Sequence, residues 1–128
     1  MLQKESYLRV TDSTGVGWLL LYHVYRGSWR RYANVGNYVR MSVKNIVRYP
    51  IRRRGMRYRP IRPGFRVRGL VVNLVKTKSF YDSSRLITIT SSCVLLKKSG
   101  MFKSKHFRGP ITRNVRYRKY YNKFYYFI

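Results

Sequence analysis

Apolar residues along this chain recur mostly with a period of two. Between Ser6 and Val10, Leu8 and Val10 alternate with polar neighbours, the pattern of a strand with one buried face. Asp12-Ser13-Thr14-Gly15 follows as an Asx-type turn ending on glycine, and Trp18 to Tyr25 forms a second, more apolar strand. A third strand runs from Asn37 to Val47, with Val39, Met41 and Val43 on one face and Tyr38, Arg40, Ser42 and Lys44 on the other. Arg66 to Val75 returns to β, with the run RGLVVNLV as a central buried strand. YDSS at 81–84 is a turn, and Arg85 to Leu96 supplies one more strand run, interrupted near Ser91-Ser92. Many short strands in a chain of 128 residues predict an all-β fold, a small barrel that leaves no open sheet edge.

Two stretches break this rhythm. Tyr49 to Gly64, YPIRRRGMRYRPIRPG, holds three of the four prolines and two glycines, which interrupt a hydrogen-bonded ladder. It reads as a basic ribbon or arm, residues 49–64, protruding from the barrel. At the other end, Gly109-Pro110 marks a helix start with proline at the first helical position. Tyr117, Tyr120, Tyr121, Phe124 and Ile128 then recur at helical spacing, so residues 110–128 are expected as a short C-terminal helical extension of a single domain spanning 1–128.

Charge changes the picture from fold to partner. Lys+Arg is 29 against Asp+Glu 3, a formal net charge of +26. Such self-repulsion works against compaction unless a polyanion is bound, while 45% hydrophobic and 16% aromatic content provides a core that a disordered basic tail lacks. The cations fall into four groups: Arg26, Arg30 and Arg31; the arm residues Arg48, Arg52, Arg53, Arg54, Arg57, Arg59 and Arg62; the loop from Lys97 to Arg108; and the C-terminal segment. Arginine predominates, and its planar fork pairs with phosphate and stacks on bases. Trp29, Tyr32, Tyr49 and Tyr58, interleaved with these cations, add stacking surface. Basic groups on several sides of a barrel suit a folded RNA better than one duplex groove.

The same composition excludes most enzymology. Glu5, Asp12 and Asp82 are far apart in sequence, so neither a carboxylate pair nor a metal cluster is expected, and no catalytic residue, metal or cofactor is assigned. Cys93, flanked by apolar strand residues, reads as a buried thiol. His23 and His106 have no ligand or base at working spacing. No apolar run approaches the roughly 18 residues that span a bilayer, and no membrane partner is expected.

The segment RGSWRRYANVGN, Arg26 to Asn37, resembles GGSxRRYAxVGD of the universal large-subunit ribosomal protein 14 family. MLQKESYLRVTDSTG is similar to that family's opening M-I-Q-x-x-(T/S)-x-L-x-V-A-D-N-S-G. Ser42-Val43-Lys44, Gly69 to Val72, Cys93 to Leu96 and Arg108 to Arg113 fall in order where the family has SVK, AVVV, a CVLL-like strand and FGPVTR. The resemblance implies a five-stranded β-barrel with a protruding ribbon and short C-terminal helices, a structural constituent of the large subunit bound to its ribosomal RNA near the subunit interface. It implies neighbouring large-subunit proteins and small-subunit RNA as partners, the latter in an intersubunit bridge, and docking of a ribosome silencing factor. Arg30, Arg31 and Tyr32 match the motif directly and are the first expected RNA contacts, followed by Lys44 and Arg62 and then by Arg26 and the other arm arginines. Lys105, His106, Arg108 and Arg113 are the expected protein-partner or bridge face.

Departures from the family pattern are local. Its compact IPRGKVKKGD is expanded here to VRYPIRRRGMRYRPIRPGF, RRPDGS becomes SFYDSS, and TRIFGP becomes KHFRGP. Ala33 is the only alanine, while Tyr, Phe, Arg and Ile are abundant, as AT-rich drift in an organelle genome would produce. The N-terminus shows no presequence, which suits a protein made where it is used. A mitochondrial ribosome is the expected location, with plastid or bacterial ribosomes as alternatives. Two rival readings are a free single-strand RNA binder or RNA chaperone on an OB-like barrel, with aromatics gathered on one sheet face, and a cationic membrane-surface protein using the YRKYYNKFYYFI tail.

Overall fold

The computed structural model describes residues 1–25, 27, 29–48, 61–75, 77–79, 81–83, 85–104, 106–112 and 115. Among the described residues there are nine strands: β1 (Leu2–Gln3), β2 (Tyr7–Val10), β3 (Trp18–Val24), β4 (Tyr32–Ala33), β5 (Tyr38–Val43), β6 (Arg66–Asn73), β7 (Thr77–Ser79), β8 (Arg85–Ile87) and β9 (Ser92–Leu96). Strands β2-β3-β5-β6-β9 close into a five-stranded barrel, as expected from the sequence. Neighbours pair antiparallel except at the seam, where β2 and β9 run parallel through Arg9↔Ser92 and Val10↔Cys93.

The interior follows from alternation. Leu8, Leu19, Leu21, Val39, Met41, Val43, Val71, Cys93 and Leu95 are fully buried and form one continuous core. At Gly69 an added Cβ would stand 2.4 Å from Met41 Cε and 2.9 Å from the Val94 carbonyl oxygen, so the barrel has no room there for a side chain. A bulge between Leu21 and His23 lets β3 keep its apolar face inward as it turns round the barrel.

Strands β6 and β9 are buried on both faces, which is why their sequences do not alternate. Their outward residues Leu70, Val72, Val94 and Leu96 form a second core, covered by Phe102, Ile111 and Val115. The covering segment runs from Lys97 across the outside of the barrel. It is held by bridges Leu96↔Phe102 and Asp12↔Phe107, and by an edge-to-face contact of the Phe102 and Phe107 rings at 5.1 Å.

The helix expected to begin at Pro110 does not begin there. The side chain of Asn73 donates to Pro110 O at 2.8 Å and accepts from Thr112 N at 3.0 Å, while Thr112 Oγ1 donates to Val72 O at 2.6 Å. These bonds lay the segment along β6, and Ile111 is buried beneath it. A single i→i+3 bond from Val115 N to Thr112 O is the only helical feature of this segment among the described residues. The remainder of the expected helix, 116–128, and arm residues 49–60 lie outside the described residues.

Candidate nucleic-acid interface

Strand order places the barrel's connections at two opposite ends. One end gathers the N-terminus, the β3–β5 connection and the excursion from β6 to β9; the other gathers the β2–β3 turn, the base of the arm and the departure from β9.

At the first end, the Arg30-Arg31-Tyr32 segment is fixed by its backbone and free in its side chains. Leu2 pairs with Ala33 and Gln3 with Tyr32, and Lys4 N donates to Arg31 O at 3.2 Å. Leu2 and Ala33 are buried, and alternation therefore turns Tyr32 outward. Arg30 is half-buried, whereas Arg31, Tyr32 and the neighbouring Trp29, the last at 87% exposure, face solvent. Asn37 N donates to Asn34 O at 3.1 Å, and Gly36 N to Val71 O at 2.8 Å, so the motif's C-terminal half is anchored to β6. Arg26 lies outside the described residues.

At the second end, Lys44, Arg48 and Arg62 are exposed at the base of the arm. Gly15 organises this base: it adopts φ +83, and its carbonyl accepts from Val47 N at 2.9 Å and Arg48 N at 3.1 Å. A Cβ at Gly15 would lie 1.9 Å from Arg48 O, so both the left-handed conformation and the close approach require glycine. Ile61 is buried, and Gly64 N donates to Val43 O at 2.8 Å, which returns the chain to the barrel. Of the predicted arm contacts, Arg52, Arg53, Arg54, Arg57 and Arg59 lie outside the described residues.

The loop after β9 presents His106 and Arg108 to solvent, while Lys105 and Arg113 lie outside the described residues. Ser13 N donates to His106 O at 3.1 Å and Arg108 N to Thr11 O at 2.6 Å. Beneath this loop lies Asp12, a residue whose role sequence reasoning understated. One carboxylate oxygen accepts from Thr14 N at 2.9 Å and from the Thr14 hydroxyl, closing the Asx turn; the other accepts from Leu95 N at 2.8 Å, 83 residues away. Asp12 therefore joins the β2–β3 turn to β9. Burial lowers the pKa of Lys103, partly opposed by Asp12. Burial also pushes the Cys93 thiol far above the ordinary thiol range.

A cleft of about 730 Å³ opens over the β2–β9 seam, with Arg9, Arg48 and Arg108 among its lining residues. It has polar walls from Thr11, Ser13, Thr88 and Thr90, but no group of three His, Cys, Asp or Glu that could hold a metal occurs among the described residues. Among the described residues the predicted cations thus do not converge on one patch. Arg30 and Arg31 stand at one end, and Lys44, Arg48 and Arg62 at the other. The outward row of β5 and β6, with Arg40, Arg66 and Arg68, is further cationic surface outside the predicted contacts; alternation in Tyr38 to Lys44 was the signal for its first member.

A closed all-β barrel with cations at both ends matches what comparison with known proteins finds. The family described as ribosomal protein L14p/L23e matches residues 1–125. The chain belongs to this family. It is similar to the large ribosomal subunit protein uL14m of Tetrahymena pyriformis, 30% identical over 124 residues that cover 97% of each chain. An L14p/L23e protein is a structural constituent of the large ribosomal subunit and not an enzyme, which accounts for a surface built of arginine and a chain nearly devoid of carboxylates.

Proposed function

We propose that this L14p/L23e protein is built into the large subunit of a mitochondrial ribosome and clamps large-subunit ribosomal RNA between the two basic ends of its barrel. The similarity to uL14m supports the organelle. The observation that carries the RNA reading is the Arg30-Arg31-Tyr32 segment, whose backbone is locked by β1 and β6 while Arg31 and Tyr32 remain exposed. A rigid backbone with free guanidiniums suits phosphate binding, since little ordering entropy is lost on contact. Lys44, Arg48 and Arg62 act likewise at the arm base. Arg26, Arg52, Arg53, Arg54, Arg57 and Arg59 are further contacts to the same RNA. Neighbouring large-subunit proteins pack on the remaining surface. Lys105, His106, Arg108 and Arg113 form the bridge to small-subunit RNA, on the face where a ribosome silencing factor would dock.

The test is assembly. Large subunits carrying Arg30→Gln together with Arg31→Gln should lose the protein in a high-salt wash that wild type survives. The slope of log K against log salt should flatten by up to about 1.8 units, since each duplex-like phosphate contact contributes roughly 0.9. Equal retention and an unchanged slope would make the RRY motif a structural one. Recovery of the wild-type protein only in light gradient fractions would favour a free RNA binder instead.

A further inference from the structure

The outer face of β2, β3, β5 and β6 carries a pattern that neither the RRY motif nor the arm explains. Register sets Tyr7, Leu20, Ser42 and Arg66 side by side across four strands, Arg9 beside Trp18 on one flank, and His23, Arg40 and Arg68 in line on the other. Tyr7, Trp18 and Tyr22 are 56%, 41% and 37% exposed, so cross-strand packing leaves much of each ring open. Arg9, Arg40, Arg66 and Arg68 are all exposed, against one exposed carboxylate at the edge of the face, Glu5, whose N donates to Leu21 O at 2.6 Å. Arg40 is already oriented, with its guanidinium 5.1 Å from the centre of the Tyr25 ring and Nε donating to the Tyr25 hydroxyl at 2.5 Å. Rings thus occupy β2 and β3, and the guanidiniums of Arg40, Arg66 and Arg68 β5 and β6, one to three strand spacings apart, or roughly 5–15 Å.

We infer that this face binds an unpaired stretch of RNA, stacking bases on Tyr7, Trp18 and Tyr22 and holding the intervening phosphates with Arg40, Arg66 and Arg68. The inference deepens the ribosomal RNA reading above and rests on it. Charge decides the class of partner: four exposed guanidiniums, Arg40 resting on Tyr25 and Arg68 donating to Lys98 O at 3.4 Å, outnumber the single exposed carboxylate beside them, Glu5, and such an excess calls for a polyanion. Open rings decide its form, because a duplex keeps its base faces stacked inside, whereas a single strand can splay them onto a sheet. Aromatics gathered on one sheet face are what a single-strand RNA binder would show, here combined with the charge of a ribosomal protein.

Two measurements on the full-length chain test it. Binding of an unstructured oligoribonucleotide of about twelve nucleotides and of an RNA duplex is compared for wild type, Trp18→Ala, Trp18→Phe, and Arg40→Gln with Arg68→Gln. Trp18→Ala should weaken single-strand binding about 5- to 150-fold with an unchanged salt slope, and spare the duplex. Trp18→Phe should restore most of the loss. The arginine pair should flatten the single-strand slope by up to about 1.4 units, at roughly 0.7 per contact. In intact large subunits, ultraviolet crosslinking should leave nucleotide adducts on Tyr7, Trp18 or Tyr22. Equal loss of single-strand and duplex binding, no loss with Trp18→Ala, or adducts confined to Trp29 and Tyr32 with a neighbouring protein crosslinked to Arg9 or Arg40, would each overturn it. The Arg30→Gln, Arg31→Gln pair separates the two readings. If that pair weakens subunit retention while Trp18→Ala is silent, the stacking face fails and the ribosomal RNA reading stands.

Discussion

Replacing Asp12 offers a direct measure of what closes the barrel. In Asp12→Ala the Leu95 amide, in a fully buried residue, loses its acceptor; an orphaned buried donor costs about 1–3 kcal/mol. The Asx turn loses the Thr14 N bond as well, a further contribution of about 1 kcal/mol. The sum is about 2–4 kcal/mol, a large part of a total stability of about 5–15 kcal/mol. Asp12→Asn removes the same charge but keeps an oxygen for Leu95 N, and its amide can donate to the Thr14 hydroxyl. Only Thr14 N then goes without its partner, near solvent that can replace it, so the cost should be about 1 kcal/mol. Since both variants change net charge equally, their difference isolates the hydrogen bonds from electrostatic self-repulsion. Urea unfolding in high salt, where that repulsion is screened, should lower the midpoint by about 1–2 M for alanine and less than half as much for asparagine. Hydrogen exchange at the Leu95 amide should accelerate in the same order. Alanine and asparagine variants of equal stability would refute the assignment of the Asp12–Leu95 bond as the tie between the β2–β3 turn and β9.

Asn73→Ala should release residues 110–112 from β6 and expose the Phe102 and Ile111 cluster, seen as increased binding of a hydrophobic dye while barrel amides stay protected. Because burial raises the Cys93 thiol above its ordinary value of 9.0, its stabilising contribution is complete below that pH. It is lost as pH rises, by up to about 1.4 kcal/mol per unit as the unfolded thiol ionises. Cys93→Ala should remove that part of the alkaline destabilisation, and in wild type a thiol reagent should label Cys93 only at the rate of unfolding. Val39→Asp or Val71→Asp should unfold the domain by burying an unpaired charge, in contrast with Arg30→Gln and Arg31→Gln, which should leave its circular dichroism unchanged. With +26 on the chain, added salt should raise the melting temperature of the RNA-free protein; a salt-independent melt would contradict the role given to self-repulsion.

Strand content was legible wherever one physical signal dominated. Val39, Met41 and Val43 alternate because only one face of β5 is buried, and the unbroken runs of β6 and β9 announce burial on both faces. The Asx turn at Asp12 and the buried Cys93 were equally local. What could not be read depended on strand order. The distribution of Arg30 and Arg62 to opposite ends follows from which strands adjoin, a property no window of sequence contains. The second oxygen of Asp12 meets an amide brought close only by barrel closure. Pro110 has the composition of a helix start, but the Asn73 amide captures its carbonyl and the next turn's N–H first, a tertiary override of local preference. The pairing of β1 with β4 spans two residues on each side, too short for any periodicity.

The parallel seam has a consequence for synthesis. Strands β2, β3, β5 and β6 follow one another as a meander that can form while the chain is still emerging, but it leaves both β2 and β6 as bare edges until β9 arrives to pair with each. A nascent chain halted before Ser92 is therefore an open, sticky sheet that also lacks its outer apolar cover. Release of the last third of the protein seals two edges in a single step, so premature termination should yield aggregates rather than a shortened but usable subunit.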